Sequence, residues 1–258
     1  MSTRVAVVGA TGRLGSHVVE VLREQGHEVV EMSRTQGVDV VTGEGLAQAL
    51  TGVDIVIDAA STPSPDQTEA TEFFTASARN LHATAHTAGV QRLVVVSIIG
   101  IHAAAAGYNL AKLMHEQEVL AGPVPVAILR AAQFDEFVEL LLRWSIRGDV
   151  AYLPRMRTQL VAARTVAEEL VRLAFDPNAT AALPFPEVAG PREERLAEAA
   201  ALIADRLGLD IRIEEISDPD NPDTPLNEDG GLLPSPHARL AGPTFAEWAS
   251  AAYPSRTA

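Results

Sequence analysis

Blocks of continuous apolar residues alternate with amphipathic segments through the first half of the chain. Val5–Val8 has no polar face, which predicts a strand buried on both sides of a parallel sheet. Further strand-like runs are Val29–Met32, Val38–Val41, Ile55–Asp58, Leu93–Ser97 and Val126–Leu129. Helical periodicity lies between them at Gly12–Gln25, Glu44–Leu50, Gln67–Ala88 and Ala111–Leu120. This alternation predicts an α/β protein with a doubly wound parallel sheet.

The pattern after Leu129 is weaker. We expect helices at Phe134–Arg147, Thr165–Phe175, Arg192–Leu207 and Thr244–Ala252, strands at Phe185–Ala189 and Ile211–Ile216, and irregular chain at Ala151–Leu160. Thr165 and Glu168 have the spacing of a capping box, which predicts the start of the second of these helices. Ser217–Pro236 is rich in Asp, Pro, Asn and Gly and predicts a loop, interpreted as a solvated acidic excursion rather than a flap over a substrate.

Length and charge narrow the class of protein. A chain of 258 residues suits one large α/β domain, so we predict a single domain over residues 1–258, with a core at 1–135 and a C-terminal subregion at 136–258 that does not fold independently. The net charge of −14 argues against a nucleic-acid partner. The chain has no Cys, no membrane-length apolar run and no signal-peptide pattern after Met1, so we expect a cytoplasmic protein without a membrane association.

Three glycines at intervals of three follow the first strand and precede an amphipathic helix. Gly9 would allow the sharp turn, Gly12 would let backbone N–H groups approach a diphosphate, and Gly15 would let the helix pack closely on the strand. The amino end of a helix, with its unpaired N–H groups, would then face the loop. The strand–turn–helix context favours a dinucleotide site over a mere tight turn.

The residues after the second strand bear on the choice of cofactor. An Asp or Glu there would bind the ribose hydroxyls of NAD, whereas Ser33 and Arg34 suit a 2′-phosphate. We therefore predict NADP(H) over NAD(H), although Glu31 could be the ribose carboxylate instead. Asp39 and Val40 are placed to flank the adenine, and the small residues 59–61 would let the dinucleotide cross the sheet edge.

Candidate chemistry lies beyond the fifth predicted strand of the core. Tyr108 and Lys112 are four residues apart and would share a helix face. A Lys ammonium beside the phenol favours the phenolate and brings it within range for acid–base catalysis, and Ser97 could hydrogen-bond a substrate oxygen. His82 and His86 have a spacing that can chelate a metal, but no carboxylate completes an H-E-x-x-H pattern, so we expect surface histidines and no metal site.

These segments resemble the atypical, NmrA-like branch of the short-chain dehydrogenase/reductases. The resemblance is carried by 9–15, Ser33-Arg34, 52–58, 88–97, Tyr108 to Lys112 and 128–134, and more weakly by 188–191 and 242–248. It implies a Rossmann fold that binds NAD(P), with Ala131–Phe134 near the nicotinamide and a C-terminal subregion that forms the substrate pocket. Two departures are the spacing of 11 between Ser97 and Tyr108, which is slightly short, and the lack of a clear helical Asn for the family's proton relay; Asn80 is interpreted as structural.

The predicted site residues fall into three groups. The catalytic candidates are Tyr108, Lys112 and Ser97. The cofactor-binding candidates are Gly9, Thr11, Gly12, Arg13, Leu14, Gly15, Ser33, Arg34, Asp39, Val40, Ala59, Ala60, Ser61, Lys112, Ala132, Gln133 and Phe134. The substrate-pocket candidates are His102, Phe137, Arg155, Arg157 and Gln159.

The expected activity is the NADPH-dependent reduction of a small carbonyl, enone or quinone. Two alternatives stay open: a non-catalytic NADP(H)-binding redox sensor or regulator, because this branch contains such members, and an NAD(P)-dependent epimerase or dehydratase. The retained Tyr108 and Lys112 favour an enzyme with a small-molecule substrate. A homodimer through the helices 67–88 and 111–120 is common among relatives, and nothing in this sequence compels it.

Overall fold

The structure is a computed structural model that describes residues 3–179, 181 and 183–254. Its strands are β1 Arg4–Val8, β2 Glu28–Met32, β3 Ile55–Asp58, β4 Arg92–Ile98, β5 Val126–Ala131, β6 Ile146–Arg147, β7 Val150–Pro154, β8 Arg157–Thr158, β9 Glu187–Ala189, β10 Glu194–Arg195, β11 Arg212–Ile216 and β12 Arg239–Leu240. Its α-helices are α1 Arg13–Glu24, α2 Leu46–Ala49, α3 Gln67–Ala88, α4 Gly107–Leu120, α5 Asp135–Ser145, α6 Ala163–Ala174, α7 Leu196–Leu207, α8 Thr224–Glu228 and α9 Phe245–Ala252.

The chain divides into two compact units. The first comprises Met1–Ile98, Ala106–Arg130 and Val166–Pro186, and the second comprises Ile99–Ala105, Ala131–Thr165 and Glu187–Ala258. Strands of the first unit follow the order β5-β4-β3-β1-β2, and β1 pairs in parallel with both β2 and β3. Buried apolar side chains of these strands pack with helix residues such as Leu46 and Leu81 into one core. The predicted doubly wound α/β fold is confirmed.

The second unit contains several short strand pairs. β7 pairs in parallel with β11 and antiparallel with β6, β8 pairs antiparallel with β10, and β9 pairs in parallel with β12. Its core is formed by apolar residues of α5, α7, α9 and β7, including Leu142, Leu153, Ile203 and Phe245.

Three sequence predictions of elements were wrong. The run 38–41 is a turn rather than a strand, because the Asp39 carboxylate accepts hydrogen bonds from the N–H groups of Val41 (2.8 Å) and Thr42 (3.2 Å). The stretch 151–160 is not irregular: it contains most of β7 and all of β8, which pair with β11 and β10 far along the chain. Thr165 does not cap α6, which begins at Ala163, where the Glu136 carboxylate accepts from the Ala163 N–H (3.1 Å).

The acidic stretch 217–236 is packed more closely than the predicted solvated loop. It contains the short helix α8, and Leu226 and Leu232 are buried. Asp223 is also buried, and its Oδ1 accepts from the Ala105 N–H at 2.7 Å. Apolar side chains spaced between acidic ones therefore hold this segment against its own unit.

No helix in the described part of the chain is long and apolar enough to cross a membrane.

Candidate active site

The glycine loop after β1 fits a bound diphosphate. Gly9 has φ of +73°, and a Cβ there would lie 3.0 Å from the Ala59 oxygen and from the Ala60 Cα. A Cβ on Gly15 would lie only 2.1 Å from the Gly9 oxygen, whereas one on Gly12 would lie 3.1 Å from it. Gly12 is the N-cap of α1 and carries no side chain to cap the helix. The first-turn N–H groups of α1 are therefore available for an anion, as the dinucleotide prediction requires.

Two charged residues at the end of β2, Glu31 and Arg34, differ in whether other side chains of the protein already bind them. Glu31 is engaged by Arg23 and accepts a hydrogen bond from Gln36 Nε2 at 3.1 Å. The Ser33 hydroxyl donates to Gln36 Oε1 at 2.6 Å, while Arg34 is exposed. The carboxylate at this edge is thus occupied by protein groups, and the guanidinium faces solvent.

The turn expected to flank the adenine is held by the neighbouring helix. Asn80 on α3 donates from Nδ2 to the carbonyl oxygens of Val40 (3.1 Å) and Val41 (2.7 Å). This contact agrees with the structural role predicted for Asn80.

Tyr108 lies in the first turn of α4, which begins four residues earlier than the sequence pattern predicted. Its hydroxyl is 2.8 Å from the Ser61 hydroxyl, and its ring meets the Phe74 ring edge-on with centroids 5.7 Å apart. Burial raises the pKa of Tyr108, and the hydrogen bond with Ser61 opposes that rise. The Ser97 hydroxyl is buried and has no hydrogen-bond partner in the described part of the protein.

Lys112 is the only lysine in the sequence, and the other 19 of the 20 basic residues are arginines. It is only 4% exposed, and its Nζ donates to the Val96 carbonyl (2.9 Å) and to His115 Nδ1 (3.0 Å). Burial lowers the pKa of Lys112 to about 8, while the charges of Asp58 and Glu116 raise it. Among described residues no hydrogen bond joins Tyr108 to Lys112 or to Ser97.

Sequence reasoning missed the surroundings of Lys112. Asp58 and His115 were not recognised as its neighbours, although the solitary lysine in an arginine-rich chain was a signal available from composition. The expectation that His82 lies at the surface was wrong: it is buried on α3, and its Nδ1 faces the Val124 N–H at 3.4 Å. No group of three or more metal-ligating side chains is found in the described part of the chain.

The second unit holds the remaining candidates, and its two arginines are paired with acids. Arg157 forms a two-pronged ion pair with Glu193 (2.6 and 3.1 Å), and Arg155 lies 3.7 Å from Glu228. His102 is exposed.

The polar amides of that unit are also engaged. Gln133 Oε1 accepts from the Thr158 hydroxyl at 2.6 Å, and Gln159 Nε2 donates to the Gly190 carbonyl at 2.7 Å. The Ala132 N–H donates to the Val188 carbonyl at 2.9 Å. A small cavity in this unit is lined by Gln133, Phe134, Phe137, Val138, Leu141, Met156, Thr158, Leu160 and Leu196.

A parallel sheet with a glycine-rich turn into its first helix defines a nucleotide-binding protein of the Rossmann class. Comparison with known families agrees: residues 9–132 match the family model described as NAD(P)H-binding. Over residues 9–132 the resemblance of this chain to an NAD(P)H-binding family is thus confirmed.

Solved structures share the fold across nearly the whole chain at low identity. UDP-N-acetylglucosamine 4-epimerase from Bacillus cereus has a TM-score of 0.71 at 18% identity, with 98% of this chain and 96% of that chain covered. The NADPH-dependent quinone oxidoreductase QOR2 from Escherichia coli, complexed with NADPH, has a TM-score of 0.70 at 17% identity, with 96% and 99% covered. A short-chain dehydrogenase/reductase superfamily protein from Agrobacterium tumefaciens with bound NAD has a TM-score of 0.68 at 20% identity, with 96% of each chain covered. No curated protein sequence matches significantly.

Proposed function

We propose that the protein is an NADPH-dependent reductase of a small, uncharged carbonyl, enone or quinone compound. The observation that carries the proposal is the placement of Tyr108 and Lys112 one turn apart on α4, with the lysine buried and its pKa lowered to about 8. Arginine would supply a permanent charge there, whereas an amine with a pKa near neutrality can take part in proton exchange.

The roles of the chain's own groups follow from their contacts. Bound NADPH would supply the hydride that adds to the substrate carbon. Tyr108 would donate its hydroxyl proton to the substrate oxygen, and the Ser61 hydroxyl, 2.8 Å away and exposed, would return a proton from water. The unpartnered Ser97 hydroxyl is a donor for the same oxygen. Lys112 uses two of its three N–H donors on Val96 and His115, which leaves one for the ribose or the phenolate.

The preference for NADPH over NADH rests on the end of β2. Arg34 faces solvent where a 2′-phosphate would lie, and Ser33 is its neighbour. Glu31, the residue that would favour NADH, is engaged by Arg23 and Gln36. This arrangement supports NADP(H), because a phosphate gains a guanidinium partner and meets no free carboxylate.

The proposal of an uncharged substrate rests on the second unit. Seven of the nine residues that line its cavity are apolar, and Gln133 and Thr158 are the two polar ones. Arg155 and Arg157, the candidates for binding an anion, are paired with Glu228 and Glu193. Because both guanidiniums already have carboxylate partners, they favour an uncharged quinone or enone over an anionic nucleotide-sugar diphosphate.

A non-catalytic NADP(H)-binding regulator is the second candidate. It is favoured by the inward direction of Lys112 Nζ, which contacts the Val96 carbonyl and His115. Such a protein would bind oxidised and reduced cofactor with very different affinities. It would not oxidise NADPH in the presence of any acceptor.

The test is NADPH oxidation with a panel of quinones, enones and aldehydes, followed by nicotinamide absorbance. We expect turnover with at least one acceptor, and a loss of about a hundredfold or more in kcat for Tyr108→Phe. Tyr152→Phe is the matched control, because Tyr152 is an exposed tyrosine on β7 in the second unit. Full turnover by Tyr108→Phe would refute the role of Tyr108, and absence of turnover with every acceptor would favour the regulator.

A further inference from the structure

A buried polar cluster surrounds Lys112 and includes groups that the proposed reaction does not use. Asp58 at the end of β3 is 2% exposed, and His115 on α4 is 1% exposed. Lys112 itself is 4% exposed. Burial of three ionisable side chains is costly unless each is stabilised by neighbours.

The hydrogen bonds of this cluster fix the tautomer of His115. The ammonium form of Lys112 can only donate, so with the amine charged His115 Nδ1, 3.0 Å away, accepts and the ring proton is on Nε2. Burial and the neighbouring Lys112 hold the pKa of His115 well below its usual range, so the ring stays neutral. Its Nε2 lies 3.8 Å from Asp58 Oδ2, which is longer than a hydrogen bond.

An aromatic ring restricts both side chains. Phe74 on α3 stacks on the His115 ring with centroids 4.8 Å apart, and Lys112 Nζ lies 4.6 Å from the centre of the same Phe74 ring. The amine therefore lies between an aromatic face, the Val96 carbonyl and the imidazole, each of which favours its charged form.

Two nearby carboxylates also favour the charged form of Lys112. Asp58 and Glu116 raise the pKa of Lys112 against the effect of burial. Glu116 is itself held by Arg130 at 2.9 and 2.7 Å, and Asp58 Oδ1 accepts from the Ala60 N–H at 2.9 Å. The titratable or charged groups around the Lys112–His115 pair are Asp58 at the end of β3, His82 on α3, Tyr108 and Glu116 on α4, and Arg130 on β5.

We propose that His115 is a positioning residue for Lys112: its neutral Nδ1 holds the ammonium on the helix face that carries Tyr108 and stabilises the charged form of the amine. This inference rests on the proposed function only for its effect on turnover. The position and protonation of Lys112 are independent of any reaction.

The solitary lysine allows a direct test. In protein labelled with [13Cε]lysine the side chain of Lys112 gives one NMR signal, and its chemical shift against pH reports the pKa of that amine. We compare the full-length protein with His115→Asn, whose amide oxygen can replace Nδ1 as acceptor, and His115→Phe, which keeps the stack on Phe74 and removes the acceptor.

The expected result is a wild-type midpoint near the pKa of about 8 found for Lys112. His115→Phe should lower that midpoint by about one pH unit, because the charged amine loses a hydrogen bond, while His115→Asn should stay within about 0.3 unit of wild type. An unchanged midpoint in His115→Phe, or equal shifts in the two variants, would overturn the proposal.

Unfolding of His115→Phe would be evident, since the lysine would then titrate at about 10.4, as in an unfolded chain. In that case His115→Gln is used in place of His115→Phe. The amide of the glutamine reaches the position of Nε2 rather than that of Nδ1, so the midpoint of Lys112 should again fall by about one pH unit. A wild-type midpoint in a folded His115→Gln protein would contradict the proposal.

Kinetics separate this inference from the proposed function. If the protein is a reductase, the alkaline limb of kcat/KM, measured with NADPH and 1,4-benzoquinone or the best acceptor of the panel, should shift with the NMR midpoint in His115→Phe and not in His115→Asn. Absence of turnover in the wild-type protein would refute the proposed function and leave the NMR result as the test of His115. A shifted NMR midpoint with an unshifted alkaline limb would overturn the role of His115 in turnover.

Discussion

The glycine loop and the cluster around Lys112 belong to the same compact unit and are built in opposite ways. The loop is made by backbone: Gly9 and Gly15 are needed because no Cβ fits beside Ala59 or the Gly9 carbonyl. The cluster is made by side chains from β3, α3 and α4 that enclose one amine. A backbone site has a short sequence signature, whereas a side-chain site is defined only when distant elements come together.

The largest expected effect tests the backbone half of this comparison. Gly15→Ala places a Cβ 2.1 Å from the Gly9 oxygen, so the loop must shift. We expect NADPH affinity to fall by about a hundredfold and the free energy of unfolding by about 1–3 kcal/mol. Fluorescence titration with NADPH and urea unfolding measure the two effects.

Gly89→Ala provides the control for that variant. Gly89 is the C-cap of α3 with φ of +77°, and a Cβ there would meet nothing within 4 Å, so the variant should lose stability through backbone strain and keep its NADPH affinity. A Gly15→Ala protein that binds NADPH as tightly as Gly89→Ala would contradict the backbone explanation.

Loss of the amine tests the side-chain half. Lys112→Met keeps an apolar chain of similar length and removes the ammonium, so we expect kcat to fall by about a hundredfold with a smaller change in NADPH affinity. Lys112→Arg keeps a charge but cannot lose its proton near pH 8, and it should restore only a small part of kcat. If Lys112→Arg recovered most of kcat, a permanent positive charge at this position would be enough for turnover, and proton exchange by the amine would not be needed.

Asp135, a buried acid of the second unit, is expected to affect the free energy of unfolding and not the reaction. Asp135 is 0% exposed, neither carboxylate oxygen has a hydrogen-bond partner in the described part of the chain, and burial with Glu136 and Glu194 raises its pKa from 3.8 to about 8. The folded pKa is above the unfolded one, so the unfolded chain releases the proton first and stability falls as pH rises from about 4 to about 8.

Asp135→Asn removes this dependence. The variant and wild type should have similar stability near pH 4, and the variant should be more stable by about 5 kcal/mol at pH 9, the free energy of a shift of about four pKa units, as measured by urea unfolding across pH. A stability difference that is constant with pH would show that Asp135 does not titrate in this way.

The smallest expected effect concerns the cofactor. Arg34→Ala should weaken NADPH binding by about tenfold and leave NADH binding nearly unchanged, because only the 2′-phosphate would contact the guanidinium. Arg13→Ala at the exposed first turn of α1 is the comparison variant, which should affect both cofactors alike. An unchanged ratio of the two affinities in Arg34→Ala would contradict the preference for NADPH.

The first half of the fold could be predicted from sequence because its elements are encoded locally. The buried run at β1, the helix periodicity of α1 and the exact span of α3 follow from residues close together in the chain. The second unit was harder, since β7 is a strand through its partner β11, some 60 residues later. The turn at 38–41 was predicted as a strand because its valines are apolar. The Asp39 carboxylate instead accepts a hydrogen bond from the Val41 N–H and closes a turn.

The candidate site shows the same limit. The Tyr108–Lys112 spacing and the glycine loop were visible in the sequence, and so was the spacing of three between Lys112 and His115 on one helix. The hydroxyl of Ser61, 47 positions before Tyr108, became its neighbour only in the fold. Short-range spacing predicts which residues can act, and long-range packing sets their protonation.

The most direct measurement is a crystal structure with NADP and a substrate analogue bound. We predict that the diphosphate lies on the glycine loop, and that the Tyr108 and Ser97 hydroxyls converge within roughly 3 Å of one carbonyl oxygen beside nicotinamide C4. A nicotinamide walled off from Tyr108, or a Tyr108 hydroxyl that points away from it, would contradict the reductase and favour the regulator.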